Sequence, residues 1–166
     1  KAGLILQNNS SKQLKTLSFF SVPVNSEGGR EEILGAYKTV GKKAARLAAD
    51  ADTSVDRIAV CIPGPFDYSK GCSLMRHKYQ AVYQVPLGPC LQEGTGSGCP
   101  VAFLHDSSAF LLGAVRDVPE KKDRICGVTI GTGLGFACII DGNIQETPGG
   151  GPAVSIYNRP YLDGTA

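Results

Sequence analysis

Apolar residues along the chain fall into short runs separated by turn formers, and the spacing inside each run predicts its conformation. Ala2 to Gln7 (AGLILQ) reads as a strand, Asn8-Asn9-Ser10-Ser11 as a turn, and Leu14 to Val24 as a second strand with Pro23 near its end. The chain is therefore expected to open with an antiparallel hairpin. After a loop over Asn25 to Gly29, residues Ile33, Leu34, Tyr37, Val40, Ala44, Leu47 and Ala48 recur at helical spacing between Glu31 and Ala51. Ser26 is a candidate N-cap, and Glu31 and Glu32 suit the first turn of that helix. Val55 to Ile62 predicts a strand that stops at the rigid turn Pro63-Gly64-Pro65-Phe66-Asp67.

Residues 67 to 100 show no sustained period and read as irregular and polar. Within them, Gly94-Thr95-Gly96-Ser97-Gly98 reads as a flexible loop, because neither a strand before it nor a helix after it is visible. Pro100 to Leu104 is a short strand ending at His105-Asp106, and Ser107 or Ser108 caps a helix over Ala109 to Val115. Two further strands, Ile125 to Ile130 and Phe136 to Ile140, flank the stretch Gly131-Thr132-Gly133-Leu134-Gly135, and Asp141-Gly142 closes a second hairpin.

This order, β-β-α-β-loop-β-α and then a fresh hairpin, predicts α/β layers. Ligands of such sheets sit outside the carboxyl ends of the strands. Both Pro63-Gly64-Pro65 and His105-Asp106 fall at that edge.

Composition narrows the picture. The chain has 166 residues, 42% of them hydrophobic, which suffices for a packed core. A net charge of +2 argues neither for nor against an anionic partner, but without a basic arm or a Lys/Arg-dense helix nucleic-acid binding is not expected. No apolar stretch approaches the roughly 20 residues of a membrane helix. The six cysteines, Cys61, Cys72, Cys90, Cys99, Cys126 and Cys138, show no metal-binding spacing. Cys61, Cys126 and Cys138 lie in apolar runs, and the cysteines read as buried free thiols of a cytoplasmic protein, with a disulfide framework as the alternative.

The chemistry concentrates at two places. Asp106, between a strand and a helix, suits a general base that accepts a proton from a hydroxyl, and equally a helix cap. His105 beside it is either a ligand contact or a structural residue. His77, between Arg76 and Lys78, reads as part of a solvated loop, with a sugar- or phosphate-contacting role as the alternative. The glycines from Gly131 to Gly135 form either a phosphate-binding nest of backbone amides, with the Thr132 hydroxyl added, or simply a tight hairpin. A Rossmann or Walker loop is excluded, because both require a helix after the glycines and a strand follows here.

In order along the chain, IAVCIPGPFDYSKGCSL, MRHKYQAVYQVPL, VAFLHDSSAFLLGA and GVTIGTGLGFACIIDGNI resemble the ROK family of sugar kinases and related regulators. The resemblance implies the α/β actin-like ATPase (ribonuclease H-like) fold. Residues 1–116 would form the first, sugar-side lobe, 117–124 a linker, and 125–166 the start of the second, nucleotide-side lobe. It implies an ATP- and Mg²⁺-dependent kinase acting on a hexose or related sugar. Asp106 would be the catalytic base and a sugar contact, and Pro63, Gly64 and His105 would line the sugar side. Gly131, Thr132, Gly133 and Gly135 would lie against the phosphates.

Cytoplasmic location and a homodimer follow by the same resemblance, with no membrane partner. The chain departs from the family pattern in four places. His105 stands where the family has Asn. The Asp-Gly-Gly-Thr phosphate motif belongs just before the first hairpin, and Lys1 is expected to lie after it. Gly149-Gly150-Gly151-Pro152-Ala153-Val154 replaces the Glu-Ile-Gly-His sugar motif. The cysteine-rich zinc motif has no counterpart, so no metal site is carried over. His105 and the absent Glu-Ile-Gly-His motif keep a non-catalytic sugar-sensing regulator as the alternative reading.

Overall fold

The structure, a computed structural model, describes residues 1–8, 10, 11, 13–116, 118, 122–131 and 133–154. Its elements group into two compact units, Lys1–Ala59 with Gly71–Ala102, and Val60–Lys70 with Phe103–Ala166.

In the first unit, β1 (Ala2–Gln7) and β2 (Leu14–Phe20) form the expected antiparallel hairpin, paired from Gln7↔Leu14 to Ala2↔Phe20 with a shift of register between Leu4 and Ile5. Its loop is organised by the Asn8 carboxamide, whose Oδ1 accepts from the amides of Ser10 and Ser11 at 2.9 Å each. β2 stops at Phe20 rather than Val24, because the ladder ends at Ala2↔Phe20 and Pro23 has no N–H to extend it. Helix α1 (Arg30–Ala49) starts at Gly29, without a side-chain cap from Ser26, and buries Ile33, Gly41 and Ala48.

Residues 67 to 100 differ most from expectation. They carry two-residue strands β4 (Phe66–Asp67) and β5 (Cys72–Ser73), a 3-10 turn at Gln80–Val82 and a second helix, α2 (Gly88–Thr95). Met75, Val82, Leu87 and Leu91 from this segment are almost wholly buried. Pro89 sits in the first turn of α2, where its missing N–H is harmless, and Gly96 ends the helix at φ +70°. Of the expected glycine loop, Gly94 and Thr95 belong to the end of α2 while Gly96 to Gly98 lie in the non-helical segment that follows, and Gly94 serves the close packing of α2 on α1. A Cβ on Gly94 would overlap the Lys38 carbonyl oxygen, and one on Gly41 would overlap that of Leu91. Gly94→Val is expected to destabilise the protein by about 3 kcal/mol. In urea this shows as a lower unfolding midpoint with an unchanged slope.

β3 (Ile58–Ile62) pairs with β6 (Val101–His105). β3 starts three residues later than its apolar run, since Ser54 Oγ donates to Asp56 Oδ1 at 3.0 Å in an irregular segment there.

In the second unit, helix α3 (Asp106–Val115) packs on a three-stranded antiparallel sheet of β7 (Arg124–Ile130), β8 (Leu134–Ile140) and β9 (Asn143–Ile144). Period-2 alternation turns Ile125 and Gly127 of β7 toward the helix, and Leu111, Ala137 and Ile139 form the core between them. Gly127 leaves room for Leu111, whose Cδ1 would lie 2.9 Å from any Cβ there. Asp141 and Gly142 both have positive φ, 50° and 78°, the conformation of a type I′ hairpin turn. The cysteines are less buried than the apolar runs imply. Cys61 and Cys126 are exposed and Cys138 is partly buried, while Cys72 and Cys99 are the buried ones. Alternation explains this: Cys126 points to the side of the sheet opposite α3.

Candidate active site

The predicted chemistry gathers in the second unit, at the ends of β3 and β6. β3 runs to buried Ile62 and then into Pro63-Gly64-Pro65, where the Gly64–Pro65 peptide is cis. Tyr68 folds the turn back. Its hydroxyl donates to Ile62 O at 3.0 Å, and its backbone N–H donates to Gly149 O at 2.9 Å. The Tyr68 ring meets His105 edge-on at 6.0 Å, and Phe66 stacks between Tyr68 and Phe103 at 5.1 and 5.4 Å. Burial, and then the negative charges of Asp106 and Glu146, push the Tyr68 phenol above its ordinary range, so it stays a hydrogen-bond donor. Pro63, Gly64, His105 and Asp106 are thereby brought to one place.

The Gly149–Gly151 loop also belongs there. Gly150 sits at φ +77° directly over Tyr68, whose Cβ would be 2.8 Å from any side chain at that position. Glu146 enters the same neighbourhood and bridges to Pro152. The glycine run was visible in the sequence, but its contact with Tyr68 is long-range and left no local signal.

At the β6–α3 junction the residues divide the work differently from expectation. His105, not Ser107 or Ser108, is the N-cap of α3, with Nδ1 3.2 Å from the Ser107 amide. The same amide donates to Asp106 Oδ1 at 2.8 Å. Ser107 is buried inside the helix start, where its Oγ donates to Phe136 O of β8 at 3.1 Å and lies 2.7 Å from His105 Nδ1. One imidazole edge is therefore pinned by Ser107, and Nε2 has no partner among the described residues. Ser108 is fully buried, and its hydroxyl is also without a partner among them. Asp106 itself is half exposed, at 54% for the side chain against 14% for His105. Among the described residues only Oδ1 is engaged, by the Ser107 amide and His105 Nδ1, which leaves Oδ2 to accept a proton or hydrogen bond.

The glycine hairpin reaches this junction through β8. Gly135 packs against Ser107, whose Cβ would be 3.1 Å from a side chain there, and Thr129 Oγ1 would collide with one. Gly131 and Gly133 form the tip, where the Gly131 amide donates to Gly133 O at 3.0 Å. Neither has a positive φ, and a Cβ on either would meet nothing within 4 Å. Nothing in the described protein demands glycine at these two positions. Thr132 lies outside the described residues. No group of three or more His, Cys, Asp or Glu is placed to hold a metal ion among the described residues. No helix among them is long and apolar enough to cross a membrane.

The sequence pattern of the ROK family matches residues 3–153. The ROK hexokinase of Thermus thermophilus superposes with a TM-score of 0.63 at 26% identity, over 82% of this chain and 43% of that one. The ROK glucokinase of Streptomyces griseus, solved with glucose and AMPPNP, gives 0.60 at 23% identity, over 80% and 40%. A ROK transcriptional regulator, a homologue of the E. coli MLC protein, gives 0.59 at 22%, over 84% and 36%. No curated protein matches. The chain thus spans about two fifths of the length of these structures. Its fold is the corresponding part of the α/β actin-like ATPase fold.

Proposed function

This chain belongs to the ROK family, and we propose that it carries the sugar-side machinery of an ATP-dependent sugar kinase. Asp106 Oδ2 accepts the proton of the sugar hydroxyl as that oxygen bonds to the γ-phosphorus and the bond to the ADP oxygen breaks. Phosphoryl transfer needs positioning and charge neutralisation more than covalent chemistry. Pro63, Gly64 and the His105 Nε2 edge line the sugar. Gly133 offers its backbone amide to phosphate oxygens at the hairpin that carries Gly131 and Gly135, and Thr132 is assigned to the same phosphate contact. Mg²⁺ would arrive on the triphosphate, a mode that asks few carboxylates of the protein. In this reading residues 1–116 are the sugar-side lobe, 117–124 the linker, and 125–166 the start of the nucleotide-side lobe.

One observation carries the proposal: two glycines that the chain's own conformation and packing leave unexplained, at the tip of a hairpin whose β8 strand rests on the residue after Asp106. Close approach by an outside group is what such glycines permit. The second reading, a sugar-sensing regulator, is favoured by His105 at the family's Asn position and by the fold shared with a ROK regulator. A coupled ADP-release assay of the full-length protein against hexoses, amino sugars and N-acyl sugars, with and without Mg²⁺, separates the two. Sugar- and Mg²⁺-dependent release is the expected result. Absence of release, with a sugar raising the melting temperature, would transfer the case to the regulator.

A further inference from the structure

We propose that Cys126 and Cys138 form a dithiol site that small disulfides of the glutathione class oxidise to an intramolecular disulfide across β7 and β8. The two residues are direct partners in the antiparallel register, and their Sγ atoms are 3.5 Å apart. Directly opposed residues in antiparallel strands have Cα separations of about 4.5 or 5.5 Å. Both values lie within the roughly 4.4–6.8 Å that a disulfide spans, so side-chain rotation alone can bring the sulfurs into bonding range. Cys126 is exposed and open to a reagent, whereas Cys138 is partly buried. Burial, and then the hydrogen bond and charge of Cys126, push the Cys138 thiol up and hold it protonated. That difference assigns the order of events.

The Cys126 thiolate attacks one sulfur of oxidised glutathione and expels a glutathione thiolate, leaving a mixed disulfide. The Cys138 sulfur, losing its proton, then attacks Cys126 Sγ and expels the second glutathione thiolate. The protein loses two hydrogens, and one oxidised glutathione becomes two reduced ones. The new bond closes a ring around the glycine tip, Gly131 to Gly133, and ties together the two strands that present it. This site does not depend on the kinase reading.

The test is direct. The full-length protein is incubated with oxidised glutathione, quenched with iodoacetamide and digested with trypsin. After Arg124 no lysine or arginine occurs until Arg159, so both cysteines lie on one peptide. The expected peptide is two hydrogens lighter than the reduced form, takes no alkyl group, and regains two alkylation sites after dithiothreitol. Cys138→Ser should instead accumulate a stable glutathione adduct on Cys126. The site is refuted if the wild-type peptide stays fully alkylatable while a dithiol peptide in the same buffer oxidises. It is equally refuted by a peptide carrying two glutathiones, since ring closure would then have failed.

Discussion

Asp106→Asn in the full-length protein is expected to lower kcat for sugar-dependent ADP release by about 10²–10⁴-fold, the usual worth of a positioned general base. The choice of asparagine matters. Asp106 Oδ1 accepts the Ser107 amide at 2.8 Å, and a carboxamide oxygen keeps that bond. The side chain is half exposed and supports no core packing, so the folded state should be as stable as before. What the variant loses is the ability of the free oxygen to take a proton. The measurement is kcat and KM side by side with a thermal unfolding curve. A collapsed kcat with an unmoved melting temperature places the chemistry at Asp106. Turnover close to wild type would remove the carboxylate from the reaction.

His105 bears on the same experiment. Ser107, the link between the imidazole and β8, fixes one ring edge and leaves Nε2 as the polar atom on the other. An Asn at this position would bring an amide, both donor and acceptor. A neutral imidazole nitrogen brings only one of these roles. In the proposed kinase, a sugar hydroxyl facing it would therefore meet a different hydrogen-bond requirement. Substrate choice among hexoses, amino sugars and N-acyl sugars is where that difference will show.

How much of this could be read from the sequence depends on the range of the interactions. The β7–β8–β9 sheet was legible because Ile125 to Ile130 and Phe136 to Ile140 are short apolar runs and Asp141-Gly142 is a strong local turn signal. The β1–β2 hairpin and α1 were legible for the same reason. Helix α2 was hidden, because Gly88, Pro89, Gly94 and Gly96 look like loop residues until the close approach of Gly41 and Gly94 is seen. Asp106 was recognisable from its place between a strand and a helix. The cap was misassigned because both serines lie inside the helix start, with the Ser107 hydroxyl drawn to Phe136 O, twenty-nine residues away. The Gly149–Gly151 loop joins Tyr68 through a similarly distant bond, which no local pattern encodes.

The glycine hairpin yields the last large effect. Gly133→Val should weaken binding of an ATP analogue such as AMPPNP by about 10- to 100-fold. That is the loss of one hydrogen bond from a backbone amide to a charged oxygen, about 1.5–3 kcal/mol. The hairpin can accept the side chain: φ at Gly133 is not positive, and a Cβ there meets nothing within 4 Å. Valine also suits the start of a strand. Stability should hold while affinity falls, as read by calorimetric titration beside a urea curve. Gly135→Val makes the contrast, since its side chain would press on Ser107 and Thr129 and should destabilise the fold itself. Unchanged affinity in Gly133→Val would mean that no phosphate approaches the tip, and the hairpin would be a structural turn.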